Sequence, residues 1–289
     1  MDNKILVHRT YFSSPDDLAT VFRKSVAWGY DGVEISLPRE NLQSSLEQMA
    51  RLKEEHHIAD IVLGCFANVT TDKDQQNLDA EIAFFTEAIS KAKAILDVSL
   101  INTGAGADLV AKDSAYTEFW NNGSALATDE HYRHAAEAFA SIAEVAEAEN
   151  VKLALEIHNC YIHDLPETTH KLLQMIDSTH VGCNFDFGNI YLHEKWIANP
   201  AAFLVEGIEL LKDKIFHVHL KNVRKVGELL FFCPDLQDGE IDNRLFLATL
   251  KRIGYKGFLV PEHIGRGDGD LSAAKDLAYI TELKECMSQ

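Results

Sequence analysis

Along most of the chain, short apolar runs rich in Val, Ile, Leu and Phe alternate with longer stretches in which apolar residues recur every three or four positions. The first pattern reads as buried strand and the second as amphipathic helix. Eight strands are expected: Lys4–His8, Gly32–Ser36, Ile61–Phe66, Ser99–Thr103, Lys152–His158, Val181–Phe187, Ile215–Lys221 and Gly257–Glu262. Between the first two, Ser14 reads as a helix cap and Pro15 as the first helical residue, followed by a stripe of Leu18, Val21, Phe22 and Val26 that Gly29 ends. Further helices are expected over Leu42–His56, Glu81–Ala94, His131–Asn150, Pro166–Asp177 and Leu245–Ile253, the last stopped by Gly254. Alternating strand and helix implies parallel strands joined by crossover helices. Eight such units in this length predict a (β/α)8 TIM barrel, a single domain over residues 1–289. The stretch 104–129 follows the fourth strand, has weak periodicity, and is expected to form a lid over the strand C-termini.

Four metal-competent side chains end the last four strands: Glu156 in LALEIH, Asp186 in CNFDFG, His219 in FHVHLK and Glu262 in FLVPEH. They lie 30, 33 and 43 residues apart, and a barrel of about 250 residues allots roughly 30 to each strand-plus-helix unit. Outward positions would bury these carboxylates against the helix layer at high cost, so the inward, C-terminal position is expected. Side chains alternate across a strand, which puts His158 on the side of Glu156, and His217 and Lys221 on the side of His219. Three carboxylates and one imidazole form an oxygen-rich set suited to Mn²⁺ or Mg²⁺; Co²⁺ also fits, and Zn²⁺ is less suited. One divalent metal ion is the expected cofactor.

Composition removes several classes of function. The chain is 46% hydrophobic and 25% charged, near the globular average, so it is neither disordered nor fibrous. No apolar run approaches the roughly 18 residues of a membrane span, and the N-terminus lacks a secretory signal pattern; a cytoplasmic protein with no membrane partner is expected. The five cysteines are scattered and form no CxxC, which argues against a disulfide framework. With 45 acids against 27 bases, the formal net charge of −18 repels a phosphate backbone, and no nucleic acid partner is expected.

The segments GYDGVEIS at 29–36, LALEIH at 153–158, NFDFGN at 184–189, HVHLKN at 217–222 and DGEIDNRLFLATLKRIGYKGFLVPEH at 238–263, in that order, carry a family resemblance. The chain resembles the xylose isomerase-like barrel superfamily, in particular its sugar and sugar-phosphate isomerase/epimerase branch of the D-tagatose 3-epimerase type. The resemblance implies that Glu156, Asp186, His219 and Glu262 hold one divalent metal. It also implies that Glu156 and Glu262 face opposite sides of a bound ketose, one abstracting the proton next to the carbonyl and the other returning one. A C–H next to a carbonyl is too weak an acid for a carboxylate unless the developing enediolate is stabilised, which a metal accomplishes. The implied substrate is a small sugar or sugar derivative, with or without phosphate, and the implied assembly is a homodimer or homotetramer. One departure matters: the ketohexose epimerases carry His three residues after the metal Asp, where this chain has Asn189. Their specificity therefore does not transfer directly; His193 substitutes only if a helical turn brings it back, and is otherwise an exposed helix histidine.

His158, Asn189, His217, Lys221 and Arg224 are candidates for substrate binding, Lys221 and Arg224 (in the loop after the seventh strand) as partners of an anionic group, and His217 also as a support for its neighbouring ligand. His8 and Glu34 are candidates for the opposite wall. A metal-dependent dehydratase of a cyclic polyol ketone is the closest alternative, because the same enolate can expel a β-hydroxyl. A sugar-binding protein without turnover and an apurinic endonuclease stand further off, the second opposed by the acidic balance and the single ligand set.

Overall fold

The structure is a computed structural model that describes residues 1–69, 75–106, 109–110, 122–193, 199–227, 229–263 and 267–287. Each anticipated strand is present: β1 (Leu6–His8), β2 (Gly32–Ser36), β3 (Asp60–Gly64), β4 (Leu100–Thr103), β5 (Lys152–Glu156), β6 (Val181–Asp186), β7 (Ile215–Leu220) and, after a hairpin of β8 (Val223–Val226) and β9 (Leu229–Phe232), β10 (Phe258–Pro261). β1 to β7 and β10 pair in sequence order and in parallel, and a bridge between Ile5 and Leu259 closes the ring. This is the expected TIM barrel. Several strands are shorter than their apolar runs, but single ladder bonds continue past their ends, from Ile157 N–H to Asn184 and from Glu262 N–H to Leu220.

The outer layer consists of α1 (Leu18–Trp28), α2 (Leu42–His56), α3 (Gln75–Leu96), α4 (Asp129–Ala148), α5 (Pro166–Ile176), the short α6 (Phe187–Tyr191), α7 (Pro200–Leu211), α8 (Asn243–Arg252) and α9 (Gly269–Cys286). At α1 the cap is Asp17, whose carboxylate accepts from the Thr20 N–H, and not Ser14. Val26, expected in the buried stripe, faces solvent, while Val21 and Phe22 are fully buried. Gly29 ends the helix as anticipated, at a φ of 93° that favours glycine.

Inside the barrel, Leu6, Val62, Leu100, Ala154, Phe216 and Val260 form an apolar cluster separate from the core between strands and helices. Two residues further along five of these strands stand His8, Gly64, Asn102, Glu156 and Glu262, so the interior turns from apolar to polar toward the strand C-termini. The antiparallel hairpin of β8 and β9 corrects the sequence reading, in which Arg224 and Lys225 lie in a loop. Half of the expected lid at 104–129, residues 107–108 and 111–121, lies outside those described; at its end, Thr128 caps α4. None of the described helices is long and apolar enough to cross a membrane, and no disulfide joins the five cysteines.

Candidate metal centre

Glu156 closes β5, Asp186 closes β6, His219 lies near the end of β7, and Glu262 follows β10. Parallel pairing brings the four together: one ligand atom from each lies within 4.8 Å of all the others. His219 Nδ1 is 3.0 Å from Glu262 Oε2, 3.5 Å from Glu156 Oε1 and 3.7 Å from Asp186 Oδ2. Asp186 also caps α6: its Oδ1 accepts from the Asn189 N–H at 3.0 Å, which leaves Oδ2 turned to the cluster. His219 belongs as well to two groups of three, with His8 and Glu262 and with Glu34 and His217. Only the group of four offers three carboxylates, the set a hard divalent cation prefers.

Lys221 supplies a direct test of fit. Its Nζ sits 2.6 Å from Asp186 Oδ2, 2.9 Å from Glu262 Oε2 and 3.6 Å from Glu156 Oε1, so an ammonium stands where the carboxylates converge. Despite these close approaches, His219 Nδ1 and Glu262 Oε2 make no hydrogen bond, and both are buried. Two buried polar atoms without a hydrogen bond and a ready-made cation position fit a metal ion.

The electrostatics are dominated by burial and pairing. Burial alone would raise the Glu156 and Glu262 carboxyls, but His219 and Lys221 hold Glu156 well below its ordinary range, and Lys221, His8 and His219 hold Glu262 down to about 2. Burial opposes the charge on Lys221, and Asp186, Glu262 and Glu156 nevertheless hold its ammonium protonated. Both glutamates are thus ionised, the state that accepts protons or binds a cation.

A cavity of about 300 Å³ opens beside the cluster, lined by His8, Arg9, Phe66, Asn102, Glu156, His158, Lys221 and Glu262 among others. A larger hollow of about 470 Å³ lies at the opposite, N-terminal end of the strands, away from these acids. Of the residues expected at the substrate, His158 lines the site cavity; its Nδ1–H donates to the Asn159 carbonyl at 2.9 Å, leaving Nε2 as the acceptor. Lys221 lines it too, but pairs with Asp186 and Glu262 rather than standing free. Asn189 is buried against the cluster, its amide nitrogen donating to Asp186 Oδ2 at 2.9 Å and to Glu156 Oε1 at 3.2 Å. His217 lies deeper, 2.7 Å from Glu34, and does not line the cavity.

Arg224, on the exposed hairpin, does not line the cavity either: its guanidinium donates to the Asp238 carbonyl in the turn beyond, and Arg9 is the arginine at the rim. His193 corrects the expectation of an exposed helix histidine. It is buried 3.7 Å from Asp164, and burial lowers it to about 4. Sequence reasoning did not single out Asn102 and Asn184, which are fully buried inside the barrel. The available signal was a lone amide in each of the apolar runs LINT and VGCNFD.

A carboxylate–imidazole cluster at the C-terminal mouth of a (β/α)8 barrel defines the class of this protein. Residues 22–283 match the xylose isomerase-like TIM barrel family, and the chain belongs to it. Among solved structures, D-psicose 3-epimerase with D-tagatose from Clostridium cellulolyticum H10 is similar at 15% identity and TM-score 0.74, covering 97% of this chain and 99% of that one. A xylose isomerase-like TIM barrel protein from Mycobacterium smegmatis in complex with magnesium is similar at 17% identity and TM-score 0.75, covering 98% and 96%. The probable 3-DHS dehydratase AsbF of Bacillus anthracis is similar at 17% identity and TM-score 0.71, covering 96% and 98%. No curated protein matches the sequence.

Proposed function

We propose that the protein is a divalent-metal-dependent isomerase or epimerase of a small sugar or sugar derivative, working by proton abstraction next to a carbonyl. The observation that carries this reading is the pair of ionised carboxylates, Glu156 and Glu262, which come from non-adjacent strands, border the same cavity, and converge on one cation position. Glu156, Asp186, His219 and Glu262 would hold the metal, which when bound supplies charge stabilisation to an enediolate oxygen. Glu156 and Glu262 take and return the carbon-bound proton from opposite sides. His158, with Nε2 available, binds a substrate hydroxyl. Asn189 keeps the Glu156 and Asp186 oxygens in place and, unlike a histidine there, carries no proton.

The test is deuterium uptake from D₂O, with Mn²⁺, by a panel of ketoses, their phosphates and cyclic polyol ketones. Uptake at carbon without loss of mass supports the reading; no exchange with any of them refutes it. One feature favours elimination as a second reading: beside the two ionised glutamates Lys221 brings an ammonium to the same cavity, able to protonate a departing hydroxyl. Loss of water from the product, with a new conjugated absorbance, would identify that reaction.

A further inference from the structure

Glu34 lies on β2, across the barrel from β7, yet one of its oxygens meets two histidines of that strand. Oε2 is 2.7 Å from His217 Nε2 and 3.0 Å from His219 Nε2, in surroundings that leave Glu34 only 1% exposed. An ionised carboxylate only accepts, so both imidazoles donate through Nε2. His219 is left with Nδ1 as the nitrogen turned toward Glu156, Asp186 and Glu262. The other Glu34 oxygen accepts from Asn102 Nδ2 at 2.9 Å, and the same amide reaches Glu156 Oε2 at 3.2 Å. Asn184 completes the network, donating to Asn102 Oδ1 at 3.2 Å and accepting from the His219 N–H at 3.0 Å.

We propose that Glu34 is a positioning residue of the cation centre: it fixes the His219 ring with Nδ1 toward the ion and, through Asn102, orients the Glu156 carboxylate. The proposal rests on the metal-dependent reading above. A ring without this anchor turns about its Cβ–Cγ bond and presents Nδ1 only part of the time. A carboxylate behind a metal-bound imidazole also makes the ring a stronger ligand, and its loss weakens metal binding about 10–100-fold.

Metal-stripped wild type, Glu34→Gln and His217→Asn are titrated with Mn²⁺ by calorimetry, and the bound ion is examined by pulsed electron paramagnetic resonance for nitrogen hyperfine coupling. Glu34→Gln is expected to bind about 10–100-fold more weakly and to show diminished nitrogen coupling. His217→Asn removes the other partner of the same oxygen but leaves the Glu34 charge beside the His219 Nε2–H, and is expected to weaken binding and coupling less than Glu34→Gln does. Wild-type affinity and coupling in Glu34→Gln, even with a lowered melting temperature, would overturn the proposal; so would equal weakening in both variants, which would mark a general loosening of the barrel. Should Glu34→Gln fail to fold, Glu34→Asp, which keeps the charge but withdraws it, takes its place with the same expectations and the same overturning result. Absence of saturable Mn²⁺ binding by the wild type overturns the metal-dependent reading itself, and the wild-type titration alone tells that failure apart.

Discussion

Lys221 is a competitor of any cation that enters the cluster, because its ammonium already pairs with Asp186 and Glu262. Two unit charges about 4 Å apart interact by roughly 4 kcal/mol at an effective dielectric near 20, and a divalent ion meets twice that repulsion. Lys221→Met is therefore expected to tighten Mn²⁺ binding at least about 10-fold, read by calorimetry. It is also expected to destabilise the metal-free protein by about 3–5 kcal/mol, the cost of leaving a buried charge without its partner, read by denaturant unfolding. Unchanged affinity would show that the lysine stands elsewhere when the ion is bound. For the glutamates, Glu156→Gln and Glu262→Gln keep the shape but cannot accept a proton, and each is expected to lower turnover at least about 10²-fold with Mn²⁺ in excess; wild-type-like turnover would remove that residue from proton transfer. That Glu156, Asp186, His219 and Glu262 meet at the strand ends was legible because strand spacing is a property of the chain itself. The roles of Lys221 and Glu34 were not: the first depends on a side-chain conformation, and the second on contacts 183 and 185 residues apart in sequence that no local pattern encodes.

The junction of β6 and α6 is the element on which the site's geometry turns, since the strand passes directly into a helix capped by Asp186. Gly188 sits in that first turn, and a Cβ there would stand 2.5 Å from Lys221 Cβ and 3.2 Å from Asp186 Oδ1. Gly188→Ala is expected to cost about 1–3 kcal/mol of stability from overpacking and to weaken metal binding by displacing the Asp186 carboxylate, which the added Cβ crowds. Calorimetry of the variant checks both, and a neutral outcome would mean that β7 yields freely. NFDFGN marks this junction in sequence, because an acid capping a helix straight after an apolar run has a local signature. The hairpin of β8 and β9 went unread although VRKV, Gly227 and LLFF form a strand–turn–strand pattern, with Gly227 at a φ of 64°. The regular alternation of strand and helix masked it.

At the scale of the whole molecule, α9 ties the ring where its first and last strands meet. Asp276 on α9 accepts from the Tyr11 hydroxyl at 2.6 Å and from the Leu236 N–H at 2.8 Å, and Tyr30 donates to the Ala273 carbonyl. Burial raises the Asp276 carboxyl from 3.8 to about 6. The folded protein therefore holds this proton more tightly than the unfolded chain does: the resulting stabilisation is full below pH 3.8 and is lost as pH rises through about 6. Thermal melts between pH 4 and 7 are expected to show wild type losing up to about 3 kcal/mol relative to Asp276→Asn across that window; parallel curves would remove Asp276 from the linkage. The barrel as a whole was legible from the alternation of apolar runs, whereas this acid was not, since burial at a closure contact is a property of the assembled ring. The apolar cluster of Leu6, Val62, Leu100, Ala154, Phe216 and Val260 adds one more consequence. It stoppers the barrel at one end, so that among the described residues an ion at the cluster and a molecule in the cavity share the approach from the strand C-termini, and whatever arrives second bars the exit of what arrived first.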